Sequence, residues 1–346
     1  MDPQKLEKQY RKRLEENPRD ADAWNDLGSL VSDPAEKVRC FQKAIEIQPD
    51  HDKAWCNLGV TATDRAEKER YYRKALSINP NSVETWNNLG NIVLDPPEKE
   101  SCMRKAIELD PNNAVPWYNL GGIVEDLKEK ERCFRKAVEL DPKNANSWAC
   151  LGHVVTDVKE REACFRKALK LDPPPIDQAN VWYNLGVTIK DPKEKVRCFQ
   201  KAIEFQPNYD KAWFNLGVLA RDQAEQERCY RKALESNPNN VDAWYNLGVT
   251  LKDRGEKERC YRKVIEINPN SADAWNNLGW VTTDKKEQER CFRKALELDP
   301  KLAMAWNNLG ALSKDPVEKE RCFRKALDAD PKCELARKNL NDLLKK

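Results

Sequence analysis

Only two histidines, His51 and His153, occur among 346 residues, far apart in the chain. No Gly-rich phosphate loop, no C-x-x-C pair and no nucleophile constellation appears either, so the common catalytic and zinc-site signatures are missing and no cofactor is expected. No run approaches the ~20 apolar residues of a membrane span, and Met1 to Arg13 is polar with no apolar h-region. The expectation is an unexported, cytoplasmic protein with no membrane contact. Excess charge of one sign is also lacking: 61 Lys and Arg face 58 Asp and Glu, a net charge of +3. That balance disfavours a dedicated nucleic-acid binder, which would show a large basic excess. Glycine is scarce as well, with 12 in all.

What is abundant is periodic. Trp24, Trp55, Trp86, Trp117, Trp148, Trp182, Trp213, Trp244, Trp275 and Trp306 recur every 31 residues, with one step of 34 between Trp148 and Trp182. A period of that length indicates a helical solenoid, which presents an extended surface rather than a closed pocket. Nine of the twelve cysteines (Cys40, Cys102, Cys133, Cys164, Cys198, Cys229, Cys260, Cys291, Cys322) share one position of the repeat. Equivalent residues of successive hairpins lie roughly 18–20 Å apart at interaxial distances of ~8–10 Å. Disulfides need Cα separations under ~7 Å, so these residues are expected as small buried side chains in a reducing compartment.

Each repeat reads as two helices. Trp244, Leu247 and Gly248 fall at i, i+3 and i+4 on one face of a first helix, A. Glycine inside a helix costs ~1 kcal/mol against alanine, so its recurrence at ten positions, from Gly28 to Gly310, points to close approach of the second helix, B. An Asp-x-x-Glu follows nine residues after every Trp, as in Asp33 with Glu36. The Asp is expected to cap helix B, with the Glu reaching back from N3 and Pro34, Pro96, Pro192 and Pro316 at the first helical position. On helix B an aromatic or Met precedes a small and an aliphatic residue at i+3 and i+4, as in Phe292, Ala295 and Leu296. Pairs such as Glu131 with Arg135 and Glu289 with Arg293 support its exposed side.

These motifs, W-x-x-L-G from Trp117 to Gly121, an aromatic and Ala three apart at Phe134 and Ala137, and D-P-N-N at Asp110 to Asn113, resemble those of the tetratricopeptide repeat family. The resemblance covers almost the whole chain and implies an all-α, right-handed α-α superhelical solenoid. The family repeat is usually 34 residues long. Here the missing residues fall between the Gly and the capping Asp, so helix A is expected about one turn shorter. Lys8 to Pro18 reads like a helix B without its partner, and Glu334 to Lys346 like a capping helix A with Arg337 in place of the Trp and Asn341 in place of the Gly. The expected organisation is a single solenoid: a half repeat over 1–18, repeats one to five over 19–172, repeats six to ten over 173–331 and a cap over 332–346, 22 helices in all. Glu36 to Glu46 and Glu194 to Glu204 are identical, which suggests a duplicated five-repeat block. The three extra residues near Pro173, Pro174 and Pro175 mark the junction, as a bend or as a stiff spacer.

The resemblance implies a ligand face lined by helix A. Two rows of residues not needed for packing lie there. Asparagine stands two after the Trp in eight repeats: Asn57, Asn88, Asn119, Asn184, Asn215, Asn246, Asn277 and Asn308. It offers donor and acceptor to a peptide backbone, or equally to the neighbouring helix. The second row lies one, five and eight residues after the Trp, read as i, i+4 and i+7 of one face. In repeats six to eight it is Tyr183-Val187-Lys190, Phe214-Val218-Arg221 and Tyr245-Val249-Lys252, with a further cation at Lys314. Aromatic anchors with flanking cations suit an extended segment of a protein carrying apolar and acidic residues or a C-terminal carboxylate. Alternatively, the aromatics fill gaps between A helices.

The leading reading is therefore a non-catalytic protein-interaction scaffold. An architectural subunit acting through its convex side and ends, alone or as a homo-oligomer, is a second reading. Single-stranded RNA binding is a third, since one aromatic and one cation per repeat suit base-per-repeat recognition, but the near-neutral charge weighs against it.

Overall fold

The computed structural model describes residues 3–345, and among them every regular element is a helix, 22 in number. None is long and apolar enough to cross a membrane. The chain divides into two compact units, Met1–Pro173 and Pro174–Lys346. In the first, α1 (Pro3–Glu16) precedes five hairpins: α2 (Ala21–Leu30) with α3 (Pro34–Ile47), α4 (Asp52–Thr61) with α5 (Arg65–Ile78), α6 (Val83–Ile92) with α7 (Pro96–Leu109), α8 (Ala114–Ile123) with α9 (Leu127–Leu140), and α10 (Ala145–Val154) with α11 (Val158–Lys170). In the second, α12 (Pro175–Thr188) pairs with α13 (Pro192–Phe205), α14 (Asp210–Leu219) with α15 (Gln223–Ser236), α16 (Val241–Thr250) with α17 (Arg254–Ile267), α18 (Ala272–Val281) with α19 (Lys285–Leu298), and α20 (Ala303–Leu312) with α21 (Pro316–Ala329), before α22 (Glu334–Leu344). Within each unit every helix packs on the next, which makes each unit a one-dimensional stack of hairpins.

The glycines hold the hairpins closed. A Cβ built on Gly121 would lie 2.8 Å from Cε1 of Phe134, inside any van der Waals contact, whereas one on the adjacent Gly122 meets nothing within 4 Å. The aromatic of helix B thus lies flat over the A helix where the glycine leaves room. Leucines three after the Trp and alanines three after the aromatic complete the seam and are almost fully buried. The shared cysteine row is buried in it too. Burial pushes the thiols of Cys102, Cys133, Cys164, Cys229, Cys260 and Cys291 up to about 11, so they stay protonated near neutral pH.

Every helix B begins on its Asp, whose carboxylate accepts from backbone N–H groups of the first turn, for example Glu98 N at 3.0 Å from Asp95. The expected reciprocal bond from the Glu is replaced by something else. In seven hairpins its carboxylate pairs with an arginine 25 residues upstream, as Arg73 with Glu98 at 2.9 Å, Arg104 with Glu129 at 2.9 Å and Arg262 with Glu287 at 2.7 Å, whereas Gln42 and Gln200 stand at that place before Glu67 and Glu225. The same arginines take the i,i+4 Glu of their own helix, as Arg135 takes Glu131 and Arg293 takes Glu289. A guanidinium fork has donors for both carboxylates, and the B helices are laced together on their solvent side. Each exposed pair contributes ~1 kcal/mol or less.

The Trp indole has a second role beyond filling space. In nine hairpins its Nε1–H donates to the carbonyl of the proline six residues earlier, as from Trp244 to Pro238 at 2.8 Å and from Trp306 to Pro300 at 2.9 Å, which fastens the turn between repeats. In α22 the Arg337 guanidinium makes the same bond to Pro331 O, so the polar replacement keeps the turn while Ala336 and Leu340 bury the inner face. The three-residue insertion is taken up as an extra turn at the start of α12, 14 residues long against 10 for α14. Asp172, at the unit boundary, has φ 53°, a left-handed conformation that Asp tolerates better than most residues.

The paired glycines give a test. Gly121→Ala must displace the Phe134 ring and is expected to cost about 1–3 kcal/mol. Gly122→Ala should be neutral or stabilising by up to ~1 kcal/mol, read from the urea midpoints of the two variants.

Candidate ligand face of the second unit

The A helices α12, α14, α16 and α18 each end six residues after their Trp. The residue that follows is extended: Ile189 (φ −67°, ψ 157°) and Leu251 (φ −57°, ψ 156°). Lys190, Arg221 and Lys252 therefore stand beyond the helix, in the connection to helix B, and the expected i, i+4, i+7 stripe on one helical face is corrected. The shortened A helix ends before its second full turn past the Trp. The cations are exposed at the mouth of each hairpin, and each precedes the Asp that caps helix B.

The two helical members of the row have different environments. Tyr183, Phe214 and Tyr245 are half-buried, with ring centroids 5.8 Å from Phe199, 5.9 Å from Tyr230 and 6.0 Å from Tyr261, the helix B aromatics of their own hairpins. Tyr183 also meets Tyr209 at 5.1 Å, and burial pushes its hydroxyl up and that of Tyr209 up to about 12. These rings are structural as much as accessible. Val187, Val218 and Val249, by contrast, are 51%, 52% and 53% exposed, one per repeat in register.

The next repeat continues the row with a residue the sequence reading passed over. Trp280, five after Trp275, is 64% exposed, and the Lys257 Nζ lies 5.8 Å from its ring. It is the eleventh tryptophan, the one outside the 31-residue register, and that misfit was the available signal. The row then lapses, with Ala311 at the equivalent place in α20 and Thr283 where a cation would stand. Lys314 is exposed but is separated from Lys252 by that repeat.

The asparagine row is mostly engaged between A helices. Asn277 Nδ2 donates to Tyr245 Oη at 3.2 Å, and Asn308 Nδ2 to Asn276 Oδ1 at 3.0 Å. In the first unit Asn57 donates to Asn25 and Asn119 to Asn87, at 2.9 and 2.8 Å. Each bond joins the residue two after one Trp to the residue one after the preceding Trp. Asn184 and Asn215 donate to backbone carbonyls four residues back, Asn180 O at 2.7 Å and Lys211 O at 2.8 Å. Asn246 has no side-chain hydrogen bond among the described residues. Among those residues no three His, Cys, Asp or Glu side chains converge as a metal site requires.

The model of the family described as "Tetratricopeptide repeat" matches three consecutive segments, residues 198–228, 229–260 and 260–289. Over those segments the chain is similar to the tetratricopeptide repeat. The matched segments contain the part of the face that carries Phe214, Val218, Tyr245, Val249 and Trp280. No curated protein matches the chain. Among solved structures it is similar to YrrB, titled a TPR protein with an unusual peptide-binding site, at 24% identity over 59% of this chain and 95% of that one, TM-score 0.39. It is also similar to yeast Tom70, at 16% identity over 98% and 91%, TM-score 0.39, and to the APC/C hetero-tetramer Cut9-Hcn1, at 14% identity over 94% and 76%, TM-score 0.45.

The asparagine geometry separates two otherwise similar substitutions in this helical array. Asn308→Ala leaves Asn276, only 8% exposed, without its donor and is expected to lower stability by about 1–2 kcal/mol. Asn246→Ala should change stability, read from the urea midpoint, by less than about 0.5 kcal/mol.

Proposed function

We propose that the protein is a non-catalytic interaction scaffold whose second unit holds an extended segment of another protein on its helix-A face. The observation that carries this reading is the register of Val187, Val218, Val249 and Trp280, four large apolar side chains exposed at one position of four consecutive repeats. Single exposed apolar residues need no explanation, but an aligned row is a feature of interaction surfaces. The half-buried aromatics floor the face, and Lys190, Arg221 and Lys252 border it. The asparagines, most of them bonded within the protein, hold neighbouring A helices together and leave their remaining amide capacity to a ligand. Such a scaffold suits a reducing, cytoplasmic compartment, in keeping with its cysteines standing as free thiols.

An architectural role has its own support in the first unit. Leu127 and Val158, each the first residue of its helix B, are 67% and 45% exposed in consecutive hairpins, and Leu94 in the connection before α7 is 79% exposed.

Substituting the tyrosines would confound binding with stability, because their rings pack on helix B. The valines are free of that problem. Val187→Asp, Val218→Asp and Val249→Asp together should leave helicity by circular dichroism unchanged and abolish capture of a partner from native extract. Equal capture by the triple variant and the unaltered protein would move the interface off this face.

A further inference from the structure

The ion-pair lacing of the B helices is broken once in each unit, and at the same place. In the second unit Arg231, Arg262 and Arg293 tie α15 to α17, α17 to α19 and α19 to α21 through Glu256, Glu287 and Glu318. Between α13 and α15 the pattern stops, because Gln200 stands for the arginine and Val196 for the glutamate four residues before it. Glu225, left without its bridge, turns to Arg228 of its own helix at 2.6 Å. Val196 and Ile203 instead pack on the cluster of Phe199, Leu216 and Cys229. In the first unit Val38 and Gln42 make the same double replacement between α3 and α5, and Glu67 turns to Arg70 at 3.7 Å. Every other B helix, α1 included, keeps Glu and Arg at those places.

A link on the opposite side appears at those same two seams. The residue four before the Trp elsewhere caps its own A helix, as Asn240 does by accepting from Ala243 N at 3.0 Å and Ser271 from Ala274 N at 3.3 Å. At these seams it reaches the preceding A helix. Tyr209 Oη donates to Asn180 Oδ1 on α12 at 3.0 Å, and its ring lies 5.1 Å from that of Tyr183. In the first unit His51 Nε2 stands 3.2 Å from Asp22 Oδ1 on α2, though not aligned as a hydrogen bond, while its Nδ1 accepts from Ala54 N. A guanidinium between two carboxylates fixes the direction in which neighbouring helices meet, whereas aliphatic contact has no preferred direction. The seam between the α12–α13 and α14–α15 hairpins is thus pinned on its helix-A side and free to turn on its helix-B side.

We propose that the second unit bends at this seam, hinging on the link from Tyr209 to Asn180 while α13 and α15 part. Widening on the helix-B side, with the helix-A side held, draws the A helices into a tighter curve. It also shifts Val187, on α12, relative to Val218, Val249 and Trp280 beyond the hinge. The consequence for a ligand rests on the reading of the helix-A face as the ligand face; the bending itself does not.

Native thiols report on the hinge. One cysteine is buried at each seam: Cys229 with Phe199 of α13, Cys260 with Tyr230 of α15 and Cys291 with Tyr261 of α17. Burial pushes all three up to about 11, so their alkylation rates in the full native chain differ through access and not acidity. Site-by-site rates from mass spectrometry should show Cys229 about fivefold faster than Cys260 or Cys291, the scale of one exposed ion pair. The Cys229 rate should be flat at low urea, since bending exposes little surface. Val196→Glu with Gln200→Arg installs the bridge and should slow Cys229 to the Cys260 rate. Glu227→Val with Arg231→Gln removes the bridge from the next seam and should bring Cys260 up to the Cys229 rate. Equal rates at the three thiols, or a Cys229 rate unmoved by the installed bridge at unchanged helicity, would overturn the proposal. So would a steep rise with urea, which marks unfolding of a hairpin rather than bending. If Cys229 behaves as expected while the three Val→Asp substitutions leave partner capture intact, the hinge stands and the ligand face fails.

Discussion

The contact between a glycine on each A helix and the large side chain over it from helix B sets the geometry on which the rest depends. At Gly121 and Phe134 there is no room for even one methyl group, so helix A approaches the Phe134 ring as closely as a bare backbone allows. The contact recurs with Phe, Tyr or Met in all ten hairpins. A solenoid has no central core to absorb an error in one element. Its stability is a sum of hairpin and neighbour terms, so a contact repeated in each hairpin has the weight that a large core has elsewhere.

That closure divides the A helix into sectors. The Trp, Leu and Gly positions face helix B and the inter-repeat turn. The positions one and two after the Trp face the neighbouring A helix, where asparagines, tyrosines and Cys150 exchange hydrogen bonds such as Asn308 to Asn276. The position five after the Trp is exposed in all ten hairpins, although His153 there packs edge-on against Phe165. It is occupied by Ser29, Val60, Asn91, Gly122 and His153 in the first unit, and by Val187, Val218, Val249, Trp280 and Ala311 in the second. Exposure of Val187, Val218, Val249 and Trp280 is what makes the aligned apolar run in the second unit informative about binding rather than folding.

Much of this was legible in the amino-acid sequence because the constraints are local and repeated. The Trp period, the in-helix glycine and the Asp cap each have one good physical solution, and ten copies remove the ambiguity a single copy would leave. What escaped depended on relations between repeats. The arginine to glutamate bridge spans 25 residues, and nothing in a local capping motif distinguishes a Glu that reaches back from one that reaches across, as Glu98 does to Arg73. The helical stripe failed at its third member because helix A stops at Thr188, Leu219 and Thr250, where an extended residue follows. The asparagine row allowed both a ligand and a neighbour as partner, and only coordinates place Asn25 and Asn87 within reach of the next A helix. Trp280 was hidden by its own chemistry: one more tryptophan in a tryptophan-patterned chain, displaced by five positions.

The central claim is that the helix-A face of the second unit, and not the ion-paired B face, receives a partner. Hydrogen–deuterium exchange on the protein alone and with a captured partner bound tests it most directly. The account expects new protection in α14, α16 and α18 and in the connections holding Lys190, Arg221 and Lys252, with α15, α17 and α19 unchanged. Protection concentrated on those B helices, or confined to the first unit, would contradict it.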